Sequence, residues 1–304
     1  MIKQNIYWSD LFCQYVQHPE TFWKNPFHRQ IKKLNCRIEM IKKAYQLSIV
    51  DIISRVCSLV IFRTYKRGKT ILIPNIGSSG SHWLQAMICE IDGFFGIGEV
   101  YIPPALIDEL SLLNNENQRK IFDAINVLHT GTLSKSLITG SVINTAHSAK
   151  QDHWTNVDHS IFRILLVRNP IDICESRTFR KTEYRKYLHN SISDDEYLME
   201  NINKINTFFE KALNSKYDIM IRYEDLVNDS VMTMQKILLA LENEVDNLLI
   251  QKIVEKFSKE NIKDNANYTN LYKDKYNKVA KKHLKMMEFE LKHISRALGY
   301  NTGF

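Results

Sequence analysis

The stretch that decides the fold is Ile73-Pro74-Asn75-Ile76-Gly77-Ser78-Ser79-Gly80-Ser81-His82-Trp83-Leu84. The residues that lead into it, from Thr70 to its first residue Ile73, form a short apolar run with β-branched side chains, which predicts a buried strand. From Trp83, near its end, the chain carries apolar side chains at helical spacing through Met87 to Ile91. The order of strand, Gly/Ser turn and helix is typical of an α/β protein.

A second strand followed by a helix is predicted further along the chain. Ile161 to Val167 is an almost continuous apolar run, as in strands buried on both faces of a parallel sheet. Asn169 and Pro170 then supply an N-cap and a first-turn proline for the next helix. Two more strands are predicted at Gly140 to Thr145 and at Asp218 to Tyr223. Strands that alternate with helices indicate a central, mostly parallel sheet with helices on both faces.

The segments around this core are predicted to be mainly helical. Residues 1–66 form a helical extension. Its apolar part, Leu47 to Phe62, is too short for a membrane span of about 20 residues, so a core helix is the favoured interpretation and an interfacial membrane helix the alternative. Ser193 to Glu196 has capping-box spacing and marks a loop or short helix. Asn261 to Lys275 has no clear period and predicts a mobile loop, and Tyr276 to Leu298 predicts a final helix.

The composition is that of an ordinary globular protein, with 44% hydrophobic and 25% charged residues. No repeat, low-complexity tract or Gly/Ser linker divides the sequence, so we expect one domain over residues 1–304. Its nucleotide-binding core would be 67–245, and 246–304 would be a C-terminal loop and helix. The formal charge of +7 favours anionic partners. Because the basic residues are scattered rather than clustered, nucleic acid is not the expected partner.

Cysteine usage and the amino terminus indicate the compartment. The five cysteines form no C-x-x-C pair, which fits reduced thiols rather than a disulfide framework or a zinc ribbon. The amino terminus lacks the basic start and apolar stretch of a secretory signal. We therefore expect a cytoplasmic protein without stable membrane insertion. The oligomeric state, a homodimer included, stays open.

The Gly/Ser turn predicts an anion site. Glycines let backbone N–H groups converge, and the following helix N-terminus adds partial positive charge. Ser79 and Ser81 add hydroxyl donors. The ATP-type phosphate loop ends in G-K-[ST], whereas Gly80 is followed here by Ser81 and His82. The turn therefore favours a phosphorylated ligand and argues against an ordinary ATPase or kinase.

Three segments follow predicted strands: Ser79-Gly80-Ser81-His82-Trp83-Leu84, Arg168-Asn169-Pro170-Ile171-Asp172-Ile173-Cys174-Glu175-Ser176 and Tyr223-Glu224-Asp225-Leu226. In the same order, they resemble the S-G-T-T-W-L, R-N-P-x-D-x-x-x-S and Y-E-D-L segments of sulfotransferases that use 3′-phosphoadenosine-5′-phosphosulfate (PAPS). The resemblance covers about residues 70–245. It implies a P-loop-NTPase-like sulfotransferase fold, PAPS as co-substrate and 3′,5′-adenosine bisphosphate (PAP) as product.

The resemblance also implies a role for individual residues. The expected ligands of the 5′-phosphosulfate are Gly77, Ser78, Ser79, Gly80, Ser81, His82 and Trp83. Arg168 and Ser176 would hold the 3′-phosphate, since arginine offers a planar fork of donors to phosphate oxygens. Trp83 and Tyr223 would pack against the adenine, unless they are core side chains. His147, two residues after the strand predicted at Gly140 to Thr145, would be the general base on the acceptor.

The chain departs from the family pattern at two places. The family has a lysine immediately before S-G, where it meets the leaving-group oxygen, and this chain has Ser78. Either Ser78 with backbone donors, or another cation, must then stabilise the charge on the departing phosphate. The family's C-terminal R-K-G-x-x-G-D-W-K loop is also absent, and Lys273 or Lys275 is the expected replacement.

The expected acceptor is a small soluble molecule with a hydroxyl or an amine. Four acidic residues would suit a cationic natural product as acceptor: Glu183, Asp194, Asp195 and Glu196. Charged side chains that are simply solvated in a loop are the favoured explanation of these residues. His147, His153 and His159 do not share one helix face, so no metal is expected. Two alternatives stay open: a nucleotide or small-molecule kinase with an atypical phosphate loop, and a non-catalytic nucleotide-binding module.

Overall fold

The computed structural model describes residues 7–23, 29–62, 70–100, 102–133, 141–146, 161–180, 192–258, 260–261 and 279–301. The α-helices within these ranges are α1 (Trp8–Gln17), α2 (Arg29–Tyr45), α3 (Ile49–Phe62), α4 (Ser81–Ile88), α5 (Pro104–Leu110), α6 (Asn115–Thr130), α7 (Pro170–Glu175), α8 (Asp194–Leu213), α9 (Tyr223–Asn228), α10 (Ser230–Ala240), α11 (Asn247–Lys256), α12 (Lys281–Glu290) and α13 (Lys292–Ala297). A 3₁₀ turn spans Pro19–Thr21, and a π-helical turn spans Ser176–Arg180.

One sheet contains the five strands β1 (Thr70–Pro74), β2 (Phe94–Gly98), β3 (Ser141–Ala146), β4 (Ile161–Val167) and β5 (Ile219–Arg222). Their order in the sheet is β2-β3-β1-β4-β5. Strands β2 and β3 are parallel, as are β4 and β5, where Ile164 lies opposite Ile219. Every residue of β1 is buried, and β4 is buried except at the half-buried Arg163. The prediction of an α/β fold with a central, mostly parallel sheet is confirmed.

The chain divides into two compact units, of which the first contains Met1–Leu72, Ile91–Ala146 and Lys150–Phe162. Its core forms where α1, α2, α3 and α6 pack together. The side chains buried there include Phe12, Ile41, Ile52, Val56 and Leu128. Helices α1 to α3 lie within residues 1–66, so the predicted helical character of this segment is confirmed where it is described. The single-domain assignment stays a prediction.

The apolar segment Leu47 to Phe62 forms α3 from Ile49 onward. Its residues Ile52 and Val56 are buried in the core of the first unit, whereas Ile61 and Phe62 are exposed. None of the described helices is by itself long and apolar enough to cross a membrane. Gln30–Tyr45 and Ile49–Phe62 pass that test only as a pair bent by 91°, on length and composition alone.

The second unit contains Ile73–Glu90, His147–Ala149 and Arg163–Phe304. Its core lies between α7, α8, α12 and α13 and includes the buried side chains of Ile173, Leu198, Ile205, Phe209 and Met287. The capping box predicted at Ser193 is confirmed, because its hydroxyl accepts the Glu196 N–H and the Glu196 carboxylate accepts the Ser193 N–H. It begins the 20-residue helix α8, not a loop or short helix.

Three boundaries differ from the predictions. Helix α4 ends at Ile88, and the apolar spacing continues into the turn, where Ile91 is buried outside the helix. Tyr223 begins α9 instead of ending β5. The final helix is divided at Leu291, whose backbone leaves the helical region although its side chain stays buried. Residues 262–275 of the predicted mobile loop lie outside the described residues.

Candidate functional site

The Gly/Ser turn between β1 and α4 has a run of unusual backbone angles. Gly77, Ser78 and Gly80 have positive φ of 84°, 59° and 88°. A turn that combines left-handed residues with ordinary ones makes successive N–H groups converge and form an anion-binding concavity. Asn75 begins the turn, and its buried side chain accepts the Gly77 N–H at 2.9 Å and donates to the Ile73 carbonyl at 3.2 Å. We call residues 77–80 the phosphate loop.

Helix α4 begins directly after this loop, with Gly80 as its N-cap. Glycine has no side chain to accept the first N–H groups of a helix, so these donors remain for a ligand. A Cβ on Gly80 would lie 2.6 Å from Cδ2 of Tyr223, which shows how closely the loop backbone approaches that ring. The loop conformation thus requires glycine at position 80, because the backbone there has a positive φ and because a side chain would clash with the Tyr223 ring.

Two serine hydroxyls in the phosphate loop have no hydrogen-bond partner among the residues that the structure describes. The Oγ atoms of Ser78 and Ser79 are both buried from solvent and unpaired. Buried polar atoms in proteins are nearly always hydrogen-bonded. Two donors beside a helix N-terminus therefore fit the oxygens of an anion such as a phosphate or phosphosulfate.

Arg168 follows β4 and reaches the phosphate loop. Its Nη1 donates to the Ser78 carbonyl at 2.8 Å, and its guanidinium carbon lies 4.5 Å from the centre of the Tyr223 ring. Its Nη2 lies 4.0 Å from Oδ2 of Asp172. Burial raises the pKa of Asp172, and the adjacent Arg168 charge opposes that rise. Arg168 is thus held in place mainly by the loop and the aromatic ring.

A cleft of about 370 Å³ opens beside Arg168. Its lining residues are Arg168, Asp172, Arg180, Tyr223, Glu224, Val227 and Asn228. The Trp83 and Tyr223 rings lie 6.2 Å apart and edge to face, and Trp83 donates its indole N–H to the Phe257 carbonyl at 2.9 Å. Both aromatic side chains are half-buried. The structure therefore brings together the phosphate loop, Arg168 and the two predicted aromatic residues.

Not every predicted site residue lies in this cluster. Ser81 is buried at the first position of α4, whereas His82 is exposed. Ser176 is half-buried at the start of the π-helical turn and is not among the described residues lining the cleft. His147, Lys273 and Lys275 lie outside the described residues. Among the residues that the structure describes, no group of three His, Cys, Asp or Glu side chains could hold a metal ion.

Glu224, in the segment that resembles Y-E-D-L, has two partners that the sequence did not indicate. One carboxylate oxygen accepts the Asn169 N–H at 3.1 Å, and the other accepts the Tyr300 hydroxyl at 2.7 Å. Burial, and then the Glu224 carboxylate, raises the pKa of Tyr300. Glu224 thus ties the start of α7 to the C-terminal turn. No local pattern in the sequence indicates a contact between residues so far apart.

Arg177 is a second residue that the sequence analysis missed. Its Nη1 donates to the Ile76 carbonyl, directly before the phosphate loop, and its Nε donates to Oδ1 of Asn201 at 3.0 Å. The only available signal was its position next to Ser176 in the motif. Arg168 and Arg177 both hold backbone carbonyls in or beside the loop.

No protein-family model matches the chain, and no curated protein matches it. Its fold is similar to that of mouse sulfotransferase SULT7A1 complexed with PAP, with a TM-score of 0.52 and 16% identity over 80% of this chain and 89% of that one. Sulfotransferase STF9 from Mycobacterium avium has a TM-score of 0.51 and 9% identity over 99% of each chain. The sulfotransferase domain from the curacin biosynthetic pathway has a TM-score of 0.50 and 16% identity over 77% of this chain and 98% of that one. The sulfotransferase fold predicted from the three motifs is confirmed.

Proposed function

We propose that the chain is an enzyme that transfers a sulfuryl group from PAPS to a hydroxyl or amine of a small acceptor. The observation that carries the proposal is the pair of buried hydroxyls of Ser78 and Ser79 beside the N-terminus of α4, which have no partner within the described ranges. These two hydroxyls lie in a protein whose fold is similar to that of sulfotransferases. Although Ser78 stands where the family has a lysine, the loop still offers hydroxyl and backbone N–H donors to a phosphosulfate.

The residues around the phosphate loop suit the parts of PAPS. The loop N–H groups with Ser78 and Ser79 would bind the 5′-phosphosulfate. Arg168 would bind the 3′-phosphate with Ser176; the guanidinium has five N–H donors, and one of them already holds the Ser78 carbonyl. Tyr223 and Trp83 would contact the adenine, because flat aromatic rings stack on bases. Lys273 or Lys275 would complete the phosphate contacts.

PAPS would supply the activated sulfuryl group, and side chains of this protein would handle the proton and the developing charge. His147, which follows β3 in the sequence, would take the acceptor proton while the acceptor atom bonds to sulfur. The bond between sulfur and the bridging phosphate oxygen breaks, and PAP leaves. Ser78 and the Ser79 N–H would donate to the phosphate as negative charge develops there.

Two of the acidic residues at the start of α8, Asp195 and Glu196, already have partners within the protein. Asp195 pairs with Lys282 at 3.1 Å and with His283 at 2.6 Å, and Glu196 belongs to the capping box. These hydrogen bonds lower the pKa of both carboxyl groups. Because both carboxylates have structural partners, we propose an acceptor without a required positive charge. We propose that the protein acts in the cytoplasm. We also propose that its acceptor belongs to natural-product metabolism.

A transfer assay with a panel of acceptors tests the function. The purified chain is incubated with PAPS and hydroxyl or amine compounds, cationic and neutral, and PAP release and sulfated product are measured. We expect turnover with at least one compound, and a His147→Ala variant that binds PAP like the wild type but turns over at least ~100-fold more slowly. Magnesium-dependent phosphoryl transfer from ATP would instead support the kinase alternative. PAP binding without transfer to any compound would support the non-catalytic module.

A further inference from the structure

Arg177 connects the phosphate loop to the longest helix of the second unit, α8. Its Nη1 donates to the Ile76 carbonyl and its Nε donates to the Asn201 side chain. Asn201 lies on α8 and is fully buried. The guanidinium therefore forms a bridge with one end on the backbone before the loop and the other end in the core.

The Asn201 end of this bridge has a defined orientation. Its Nδ2 donates to the Tyr197 carbonyl at 3.0 Å and to Oγ1 of the buried Thr178 at 3.3 Å. Because both amide protons are used in this way, Oδ1 is left to accept from Arg177. A buried polar group with all its partners in place is rigid. Arg177 is thus held in its conformation before any ligand binds.

The contact of Arg177 with the Ile76 carbonyl restrains the backbone conformation of the loop. A peptide unit is planar and trans, so a fixed carbonyl also fixes the direction of the next N–H. The Gly77 N–H is held on Asn75, and the Ser78 carbonyl is held by Arg168. Between these anchors Ser78 takes a positive φ, which is costly for a residue with a side chain. The loop needs such anchors to keep that conformation.

We propose that Arg177 is a positioning residue of the phosphate loop. It holds the Ile76 carbonyl so that residues 77–80 stay in their anion-binding shape, and its guanidinium adds a fixed positive charge behind the loop. This role matters more in this chain because Ser78 stands where the family has a lysine, so the loop lacks that ammonium group. The identity of the bound anion rests on the proposed function, whereas the anchoring of the loop does not.

Three variants test the proposal. Arg177→Met removes the charge and both hydrogen bonds while keeping an apolar stem. Arg177→Lys keeps the charge but provides a single ammonium in place of the two-ended fork. Arg296→Met is the control, because Arg296 is an exposed arginine on α13 and its loss changes net charge equally.

Amide hydrogen exchange in the ligand-free protein is the first measurement. We expect residues 75–82 to exchange roughly 10-fold faster in Arg177→Met, because a hydrogen bond to a charged group is lost. Residues of α11 and the Arg296→Met protein should exchange as in the wild type. Unchanged exchange of residues 75–82 in Arg177→Met would overturn the proposal. If Arg177→Met does not fold, the same exchange measurement is made on Arg177→Lys and Asn201→Ala. Faster exchange confined to residues 75–82 would support the proposal, and unchanged exchange there would overturn it.

PAP affinity, measured by calorimetry, is the second measurement. We expect roughly 10- to 100-fold weaker binding for Arg177→Met and an intermediate loss for Arg177→Lys. In turnover assays the KM for PAPS should rise while the KM for the acceptor stays unchanged. Faster loop exchange with wild-type PAP affinity would overturn the link to anion binding. A wild-type protein that binds no PAP would refute the proposed function, and the exchange data would still decide the anchoring role.

Discussion

A methyl group added at Gly80 tests the close approach between the phosphate loop and Tyr223. Gly80 has a φ of +88°, and a Cβ there would lie 2.6 Å and 2.8 Å from two carbons of the Tyr223 ring. The left-handed backbone alone costs an alanine about 1–2 kcal/mol. Forcing an extra methyl into a packed site adds about 1–3 kcal/mol. We therefore expect Gly80→Ala to lower the free energy of unfolding by about 2–5 kcal/mol.

Gly98 provides the matched control. It has a φ of +70°, and a Cβ there would have no atom within 4 Å. Gly98→Ala should therefore cost only the backbone part, about 1–2 kcal/mol. Urea unfolding of the two variants and the wild type gives both values. If Gly80→Ala is no more destabilising than Gly98→Ala, the Tyr223 ring does not pack on the loop, and the account of the site is wrong.

Two further predictions concern the capping box and the cysteines. Ser193→Ala should lower the free energy of unfolding by about 1 kcal/mol at neutral pH. The Glu196 carboxylate has a lowered pKa in the folded protein. Its contribution to the free energy of unfolding is therefore fully present above the pKa that it has in the unfolded chain, and it is lost as the pH falls through its pKa in the folded protein. The difference between wild type and variant should accordingly shrink in acid unfolding curves, and a difference that grows would contradict the capping role. Burial raises the pKa of Cys174 to about 12, whereas Cys36 is exposed. Iodoacetamide at pH 8 should modify Cys36 and spare Cys174 in the folded protein, as mass spectrometry would show; rapid modification of Cys174 would contradict its burial.

The elements that the sequence predicted best depend on local chemistry. Asn169 accepts the Ile171 N–H at 2.9 Å, only two residues away, and Pro170 occupies the first position of α7. Such short-range signals can be read directly from residue types. Strand β1 and the phosphate loop were predictable for the same reason, because a β-branched run that ends in a cluster of Pro, Gly and Ser is a local signal for a strand followed by a turn.

The features that the sequence missed depend on packing over long distances in the chain. Strand β2 was not predicted because Gly96 and Gly98 weaken the strand pattern of this five-residue segment. The contacts of Arg177 with Ile76 and of Glu224 with Tyr300 join segments that only the folded chain brings together. The motif resemblance indicated which segments matter, but not which carbonyls the two arginines hold.

The most direct test of the central claim is a calorimetric titration of the wild-type protein with PAP and, separately, with ATP and magnesium. The account predicts that PAP binds at least ~100-fold more tightly than ATP, because Arg168 and Ser176 would hold the 3′-phosphate that ATP lacks. Binding of ATP that is equal to or tighter than that of PAP would contradict the account.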